Sequence, residues 1–468
     1  MKRDQISQIV ERVLGQIQQG EMPARVDDRP AKPKGVFKTV DGAMDAALHA
    51  HQVLVEIPLE KRREIIANIR LRCAEDVHTL AKLAVDETGL GRVNCKIKKN
   101  LLVVHKTPGV EILQPTAWTG DNGLTLLERA PFGVIGSITP CTNPTETIIN
   151  NGIGMVAGGN SVVFNTHPAA KETSAYVIDL INRAVLEVGG PENLMTCVET
   201  PTIASANAVM RHKRTNLVVV TGGGAVVKAA MSSGKKCVAA GPGNPPVVVD
   251  ETADLDRAAR GIYAGASLDN NIICTDEKEV LAVDKIFDSL MKRLEDLGAV
   301  RLRNHQIRRL EKLILTPDRE HINRAWVGKS PSVMLEQLDI PYKGDPRLII
   351  CEVPFEHPFI QLEKLMPVIG FVRCKDVHQA IDLAVEAEHG YRHTASMYSR
   401  NIDSLHRMAR AVDCSIFIKN ASNFAGLGLG GEGYTSFTIA SPTGDGLTTA
   451  LTFTRERRCT LAGYFRIV

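Results

Sequence analysis

Short apolar runs alternate with helical stretches through most of the chain, and this alternation restricts the fold more than any other feature. Runs at 132–138, 161–164, 194–198, 217–220 and 246–249 read as strands. Between them, 144–156, 171–188, 203–211 and 225–231 carry helical periodicity. Strand–helix alternation implies βαβ units on a parallel sheet. A second region of the same kind spans about 250–423, with runs at 279–283, 348–351, 368–372 and 415–418. Two α/β domains are the simplest reading. The 468 residues are enough for two or three domains with sizeable cores, and no internal repeat is present.

The first segment stands apart. Ile6, Ile9, Val10, Val13, Leu14 and Ile17 recur at helical spacing, which predicts a helix over 1–20 with a narrow apolar stripe. The stretch 21–35, rich in Pro and charge, reads as a linker. Such a helix either docks on its own domain or detaches to lie in a partner's groove, and the linker favours the second use. From 36 to about 120 the pattern is helical, over 40–53 and then 59–88, closed by Gly89 and Gly91.

Lys and Arg number 56 against 53 Asp and Glu, a balance that argues against nucleic acid or an anionic membrane as main partner. No run of some 18 apolar residues predicts a membrane span, and from Met1-Lys2-Arg3-Asp4, without a long apolar core or a small-residue cleavage site, no secretory signal is expected. The ten cysteines are scattered without a C-x-x-C pair, so no zinc site is expected. They read as reduced thiols of a cytosolic compartment. The basic stretches 96–99 and 301–309 read as solvated helix faces.

Four segments could carry chemistry. Cys274 sits among small and amide side chains in 266–276, where a partly exposed nucleophile is plausible. Its thiol, with an ordinary pKa of about 8.5, needs a local field to ionise at neutral pH, and one cysteine among many is more often a buried structural residue. In Ile138-Thr139-Pro140-Cys141-Thr142-Asn143-Pro144-Thr145-Glu146 a strand runs out at the edge where open α/β sheets bind ligands. Asn143 before Pro144, with Glu146 three residues on, has the form of a helix N-cap with a capping-box partner. Its amide N–H is equally suited to a developing oxyanion, and the two uses are compatible. Thr221-Gly222-Gly223-Gly224 follows a strand and precedes a helix, so it either admits a phosphate or is only a tight turn. Gly241 lies in a Gly- and Pro-rich stretch, 239–246, that offers backbone but no acid or base.

Taken in order, these segments resemble the aldehyde dehydrogenase superfamily from about Val36 to Val468. The resemblance rests also on Val162-Val163-Phe164-Asn165-Thr166-His167-Pro168 and on Glu363-Lys364-Leu365-Met366-Pro367-Val368. It implies an α/β fold with a Rossmann-type cofactor domain, an α/β catalytic domain and a small β oligomerisation extension. It further implies that Cys274 attacks the aldehyde and that Asn143 helps form the oxyanion hole. Thr221, Gly222, Gly223 and Gly224 would lie by the NAD pyrophosphate, and Glu363 would bind the nicotinamide ribose. Thr139, Pro140, Cys141, Asn165, His167, Pro168 and Gly241 would line the cofactor site.

Two departures from the hydrolytic pattern point to one branch of the family. Hydrolytic members carry a water-activating glutamate in a Glu-Leu-Gly-Gly-Lys segment, where this chain has Ala240-Gly241-Pro242-Gly243-Asn244. Their Lys-Pro-x-Glu segment, which holds the adenosine ribose, is replaced by Asn165-Thr166-His167-Pro168. Both changes resemble the CoA-acylating branch. A thioester on Cys274 must outlast water until coenzyme A arrives, and a site without a base for water favours the thiol. His393-Thr394-Ala395, the ending 454–468 and the N-terminal helix with its linker resemble propionaldehyde dehydrogenases of bacterial microcompartments and their encapsulation peptides.

The resemblance implies NAD and coenzyme A as co-substrates, a shell protein as partner of the helix, and a place in the microcompartment lumen within the cytoplasm. It implies a homodimer or homotetramer held by a β extension near 115–130 and the C-terminal tail. The expected division is a helix over 1–20, a linker over 21–35, a cofactor domain over 36–245, a catalytic domain over 246–432 and an oligomerisation segment over 433–468. The competing readings are acetaldehyde as substrate, a hydrolytic enzyme releasing free acid, and a non-catalytic shell-binding scaffold.

Overall fold

The computed structural model describes residues 2–18 and 33–468. The chain forms two compact units: Met1–Glu87, Ile97–Ala240 and Tyr434–Val468 make the first, Thr88–Lys96 and Gly241–Gly433 the second. The second unit therefore starts at 241 and takes in a short piece, Thr88–Lys96, from the helical region.

The first unit is built on a parallel sheet of six strands in the spatial order Val36–Phe37, Met195–Val198, Ser161–Asn165, Val134–Ile138, Thr215–Thr221 and Cys237–Ala240. Its central strands are buried along their whole length, which is why they read as unbroken apolar runs. The helical region 59–88 is two helices, Leu59–Glu75 and Val77–Thr88. They part at Asp76, whose carboxylate accepts a 2.7 Å hydrogen bond from the Tyr176 hydroxyl.

The N-terminal helix, Lys2–Gln18, packs against Leu59–Glu75 of the same unit. Ile6 and Val13 are buried there and Ile9 and Val10 half-buried. The docked arrangement is thus the one present. Of the expected linker, only 33–35 lies within the described residues.

A separate antiparallel sheet joins Thr116–Gly120, Gly123–Pro131 and Thr454–Ala462, where the β extension and tail are expected. Thr116–Gly120 is exposed at every residue.

The second unit has a seven-stranded parallel sheet in the order Val300–Arg301, Ile349–Glu352, Val368–Cys374, Glu279–Val283, Pro246–Val249, Thr394–Tyr398 and Ile416–Lys419. Val248, Leu281 and Ile349 face one core layer, Val247, Val280 and Ile350 the other, as the two-residue period of a strand requires.

One expectation is overturned. The basic stretch 96–99 is not a solvated face, because Lys96 and Lys99 are fully buried. Each is neutralised inside its own unit, Lys96 by Asp269 at 3.3 Å and Lys99 by Glu146 at 3.1 Å. A run of charge cannot reveal acids that lie far away in sequence. In the stretch 301–309, Arg303, Arg308 and Arg309 are exposed as expected.

Candidate active site

In the first unit the candidate residues gather at the carboxyl edge of the six-stranded sheet. The strands Val134–Ile138 and Thr215–Thr221 are neighbours, and the chain continues from them toward opposite sides of the sheet. Such a switch point leaves a crevice beyond the strand ends. Thr139, Pro140 and Cys141 leave the first strand there, with the Thr139 N–H on the Asn165 carbonyl at 3.3 Å. The Asn165 side chain accepts a 2.5 Å hydrogen bond from the Ser205 hydroxyl. His167 and Pro168 are exposed, and His167 Nδ1 accepts the Ala169 N–H at 3.1 Å.

Across the switch point, Thr221 is hydrogen-bonded to Thr438 at 2.7 Å, and the Gly222 N–H to the Ala240 carbonyl at 3.1 Å. Gly223 then caps the helix Gly224–Met231 with no side chain over its first turn. A side-chain carbon on Gly223 or Gly224 would meet nothing within 4 Å. An open helix start of this kind fits a pyrophosphate, which its free N–H groups and dipole attract.

Asn143 does start the helix Pro144–Ala157, but its side chain makes no capping bond. The capping-box expectation fails because Lys99 takes both partners. The ammonium donates to Asn143 Oδ1 at 2.6 Å and pairs with Glu146. An ammonium can only donate, so the amide oxygen must face it. The Asn143 Nδ2 is thereby turned away from the ammonium and donates to the Thr142 hydroxyl at 3.3 Å. The orientation of the Asn143 amide is set by a buried lysine rather than by helix capping.

In the second unit the chemistry-bearing residues lie at the opposite end of the strands. Glu363, Cys274, Gly243 and His393 each precede one of four adjacent strands, Val368–Cys374, Glu279–Val283, Pro246–Val249 and Thr394–Tyr398. Gly243 is the point where they meet. Its N–H donates to Glu363 Oε1 at 3.3 Å. A side-chain carbon on it would lie 2.8 Å from the Cys274 carbonyl oxygen and 2.9 Å from His393 Cγ.

The turn carrying Cys274 is strained and tightly held. Asp269, Asn270 and Asn271 all have left-handed backbone, at φ 46°, 55° and 59°. Asp and Asn tolerate that region best, so the Asp-Asn-Asn triplet is the local signal for it. Each side chain is tied down within the unit. Asp269 accepts the Arg92 N–H at 2.7 Å, Asn270 donates to the Gly328 carbonyl at 2.9 Å, and Asn271 donates to the Ala266 and Glu277 carbonyls. These bonds explain why Thr88–Lys96 belongs to the second unit. Gly91 has φ 76°, and a side-chain carbon on it would lie 2.1 Å from the Asp269 carboxylate, so no other residue fits. The buried Lys278 ammonium donates to Asn271 O and Oδ1 and to Ile273 O, at 2.9, 2.6 and 2.9 Å.

Cys274 itself is half-buried. Burial, and then the Glu363 carboxylate, push its thiol up to about 12, while Lys278 pulls the other way. His393 is fully buried with no hydrogen-bond partner on Nε2, and burial drives its pKa down to about 3, so the ring is neutral. Lys278, Lys99 and the role of Gly243 escape sequence reasoning altogether, because their partners are distant in the chain. Among the described residues, no three His, Cys, Asp or Glu side chains are grouped to hold a metal ion, and no helix is long and apolar enough to cross a membrane.

The aldehyde dehydrogenase family pattern matches 31–439. The chain is 47% identical to the acetylating acetaldehyde dehydrogenase EutE of Salmonella typhimurium over the full length of both. It is similar, with a TM-score of 0.91 and 47% identity, to a propionaldehyde dehydrogenase from the Clostridium phytofermentans fucose utilisation bacterial microcompartment, covering 93% of this chain and 100% of that one. A Rhodopseudomonas palustris propionaldehyde dehydrogenase with bound propionyl-CoA is similar at a TM-score of 0.91 and 45% identity, over 94% and 99% of the two chains. With near-half identity sustained from end to end, the chain belongs to the aldehyde dehydrogenase family and to its acylating group.

Proposed function

We propose that this enzyme oxidises a short aliphatic aldehyde, propionaldehyde foremost, to its acyl-CoA, with Cys274 as nucleophile and NAD as the oxidant. The observation that carries this reading is the segment Ala240-Gly241-Pro242-Gly243-Asn244, in which the buried Ala240 stands where the hydrolytic segment has its glutamate. A hydrolytic enzyme needs that carboxylate to activate water. Here the place of a side chain on Gly243 is taken by the Cys274 carbonyl and the His393 ring, and the Asn244 amide is committed to the Ile360 and Ala387 carbonyls at 2.9 Å each.

As a thiolate, Cys274 adds to the aldehyde carbonyl. The Asn143 Nδ2 and the Cys274 backbone N–H stabilise the resulting oxyanion, each donor being worth roughly 10²–10³-fold in rate. NAD, when bound, supplies the hydride acceptor; Thr221–Gly224 would hold its pyrophosphate and Glu363 a ribose, with Thr139, Pro140, Cys141, Asn165, His167, Pro168 and Gly241 lining the remainder. Loss of hydride leaves an acyl thioester on Cys274, which passes to the thiol of coenzyme A. The proton of that thiol ends on Cys274, which is regenerated as the acyl group leaves.

Kinetics should be ping-pong, with a burst of NADH in the absence of CoA. CoA-dependent NADH production by Cys274→Ala would overturn the assignment, and free acid as the main product with CoA present would favour a hydrolytic enzyme. Acetaldehyde is the second substrate reading, since the acetylating relative and the propionaldehyde one are equally similar at 47%. Relative kcat/KM for acetaldehyde, propionaldehyde and butyraldehyde decides between them.

The three-stranded sheet leaves Trp118 and Leu461 about half exposed, and the tail after it leaves Tyr464, Phe465, Ile467 and Val468 largely exposed. Apolar exposure of that order suits an interface between copies, in a dimer or tetramer. The N-terminal helix would serve as the targeting element for a microcompartment shell protein. Removal of residues 1–20 should then abolish encapsulation and leave activity in solution intact.

A further inference from the structure

Lys364 is a long charged side chain, next in sequence to Glu363, that the fold puts wholly out of water. A buried ammonium has three protons to place, and leaving one unbonded is costly. All three go to main-chain carbonyl oxygens: Phe359 at 2.6 Å, Leu362 at 3.3 Å and Lys278 at 3.2 Å. Phe359 and Leu362 belong to the end of the short helix Pro358–Gln361, where the last carbonyls have no partner within a helix. Lys278 stands at the head of the strand Glu279–Val283. One side chain therefore fastens the end of that helix to the start of the strand that follows Cys274. Glu363 lies in the fastened stretch but is barely held by its own carboxylate. It is half-buried, and one N–H, from Gly243 to Oε1 at 3.3 Å, is a weak anchor for a group with room for several hydrogen bonds. Beyond Lys364, Leu365 sits at φ 51°, a strained backbone for a branched side chain, and its carbonyl accepts the Gly328 N–H at 2.9 Å. Such a conformation persists only where surrounding bonds over-determine it, and the three Lys364 bonds stand directly beside it.

We propose that Lys364 is a positioning residue for the cofactor: its ammonium fixes the main chain that presents Glu363, so that the carboxylate meets the nicotinamide ribose at a set place. This rests on Glu363 being the ribose residue. Without the ammonium, the Phe359 and Leu362 carbonyls lose their donor, and the chain bearing Glu363 keeps its tie at Leu365 but none at Lys364. The Cys274 turn does not follow, because it has ties of its own. Lys278 holds the Asn271 and Ile273 oxygens, and the Asn423 amide holds the Thr275 carbonyl at 2.9 Å. The effect is thus confined to the half-reaction that uses NAD. Coenzyme A has no nicotinamide ribose, and it meets the acyl-enzyme after the hydride has left.

The test uses Lys364→Met, which keeps the apolar stem and removes the donors. Glu279, fully buried and with no hydrogen-bond partner on either carboxyl oxygen, feels the Lys364 charge. Losing that cation leaves a buried acid uncompensated, so Glu279→Gln and Lys364→Met/Glu279→Gln are made beside it. NAD binding is measured by calorimetry and kcat/KM for CoA in the steady state, with melting temperatures to check each fold. The NAD dissociation constant should rise about tenfold in both Lys364→Met forms and in Glu363→Gln, and stay within about twofold of wild type in Glu279→Gln. Adding Lys364→Met to Glu363→Gln should weaken NAD by less than about a further twofold, since both act through one carboxylate. The kcat/KM for CoA should hold throughout. NAD bound at wild-type strength by both Lys364→Met forms, with Glu363→Gln weakened, overturns the positioning role and leaves the ribose role standing. NAD bound at wild-type strength by Glu363→Gln overturns the ribose role itself. Equal losses for NAD and CoA, or losses that multiply in the Glu363 combination, show a general structural role and overturn the proposal. A loss that vanishes in Lys364→Met/Glu279→Gln, or that Glu279→Gln reproduces alone, assigns the effect to buried charge and overturns it too.

Discussion

Gly243→Ala is the most exacting perturbation, because it adds one carbon where three functional segments meet. The glycine is not in the left-handed region, so alanine is permitted by the backbone and the cost is one of contact alone. The new carbon would stand 2.8 Å from the Cys274 carbonyl oxygen and 2.9 and 3.2 Å from His393 Cγ and Cδ2. Neither neighbour can retreat freely. Lys278 grips the carbonyl of Ile273, next to Cys274, and His393 is fixed by its N–H on Glu388 and by Nδ1 against Thr394, both at 2.8 Å. Restoring ordinary contact needs a shift of roughly half an ångström. Overpacking of this kind costs about 1–3 kcal/mol. A displacement approaching 1 Å at reacting atoms costs on the order of 10²-fold in rate. The expected result is a folded protein, melting a few degrees lower, with kcat/KM down about 10–10²-fold and the loss visible in the pre-steady-state NADH burst. A folded Gly243→Ala enzyme with a burst rate within twofold of wild type would refute the packing of Cys274 and His393 about this residue.

Two further substitutions test the buried charges. Lys99→Met should leave the Glu146 carboxylate uncompensated and the Asn143 amide free to turn, costing about 3–5 kcal/mol in urea denaturation and about tenfold or more in kcat; a kcat unchanged in the folded variant would remove Lys99 from the orientation of Asn143. Glu277 is raised from 4.5 to about 7 by burial, against the opposing hydrogen bond from the Asn423 N–H. Its folded value lies above its unfolded one, so its contribution is fully present below about pH 4.5 and is lost as pH rises through 7, a decline of about 3 kcal/mol. Glu277→Gln should flatten the fall in urea midpoint between pH 5 and 8, and an unchanged slope would show that Glu277 is ionised in the fold.

The strands most legible in the sequence are those buried on both faces. Val134–Ile138, Ser161–Asn165, Glu279–Val283 and Val368–Cys374 read as strands because continuous burial demands nearly continuous apolar residues. Thr394–Tyr398 is equally buried yet reads as nothing, since Thr394 and Ser396 interrupt the apolar run. Val36–Phe37 is too short to produce a pattern. At the site, Cys274, Asn143 and Glu363 emerge from the order of segments along the chain. What orients them does not: Lys99 lies 44 residues from Asn143, Gly243 lies 120 from Glu363, and Arg92 lies 177 from Asp269. Charge patterning within a window sees only Lys96 and Lys99 as a basic run, whereas in the fold each has its own buried acid.

The location of Cys274 accounts for the company it keeps. In the first unit, candidate residues stand at the carboxyl edge of the sheet, beside the exposed start of Gly224–Met231, where a helix dipole favours anions. In the second unit they stand at the amino edge, and the chain reaches them from helix ends. Leu255–Ala266 finishes before the Cys274 turn, and Val377–Ala387 before His393. Helix ends carry partial negative charge, so this edge works against a thiolate even before Glu363 is counted. Lys278 answers that field without touching the sulfur. Its ammonium directs its donors at Asn271 and Ile273 oxygens, cancelling the negative ends of the turn and leaving Sγ unencumbered. The strained residues fall at the same edge: Asp269, Asn270 and Asn271 before Cys274, Leu365 after Glu363, His389 and Arg392 before His393. Left-handed backbone costs of order 1–3 kcal/mol per residue and persists only where surrounding bonds over-determine it. An edge that is electrostatically unfavourable and conformationally strained does not arise from packing, and its bonds run to the loops bearing Cys274, Glu363 and His393. On this view a Lys278→Met enzyme loses the cation that favours the Cys274 thiolate, and its Cys274 should alkylate more slowly than wild type at every pH, with Glu363 present or removed.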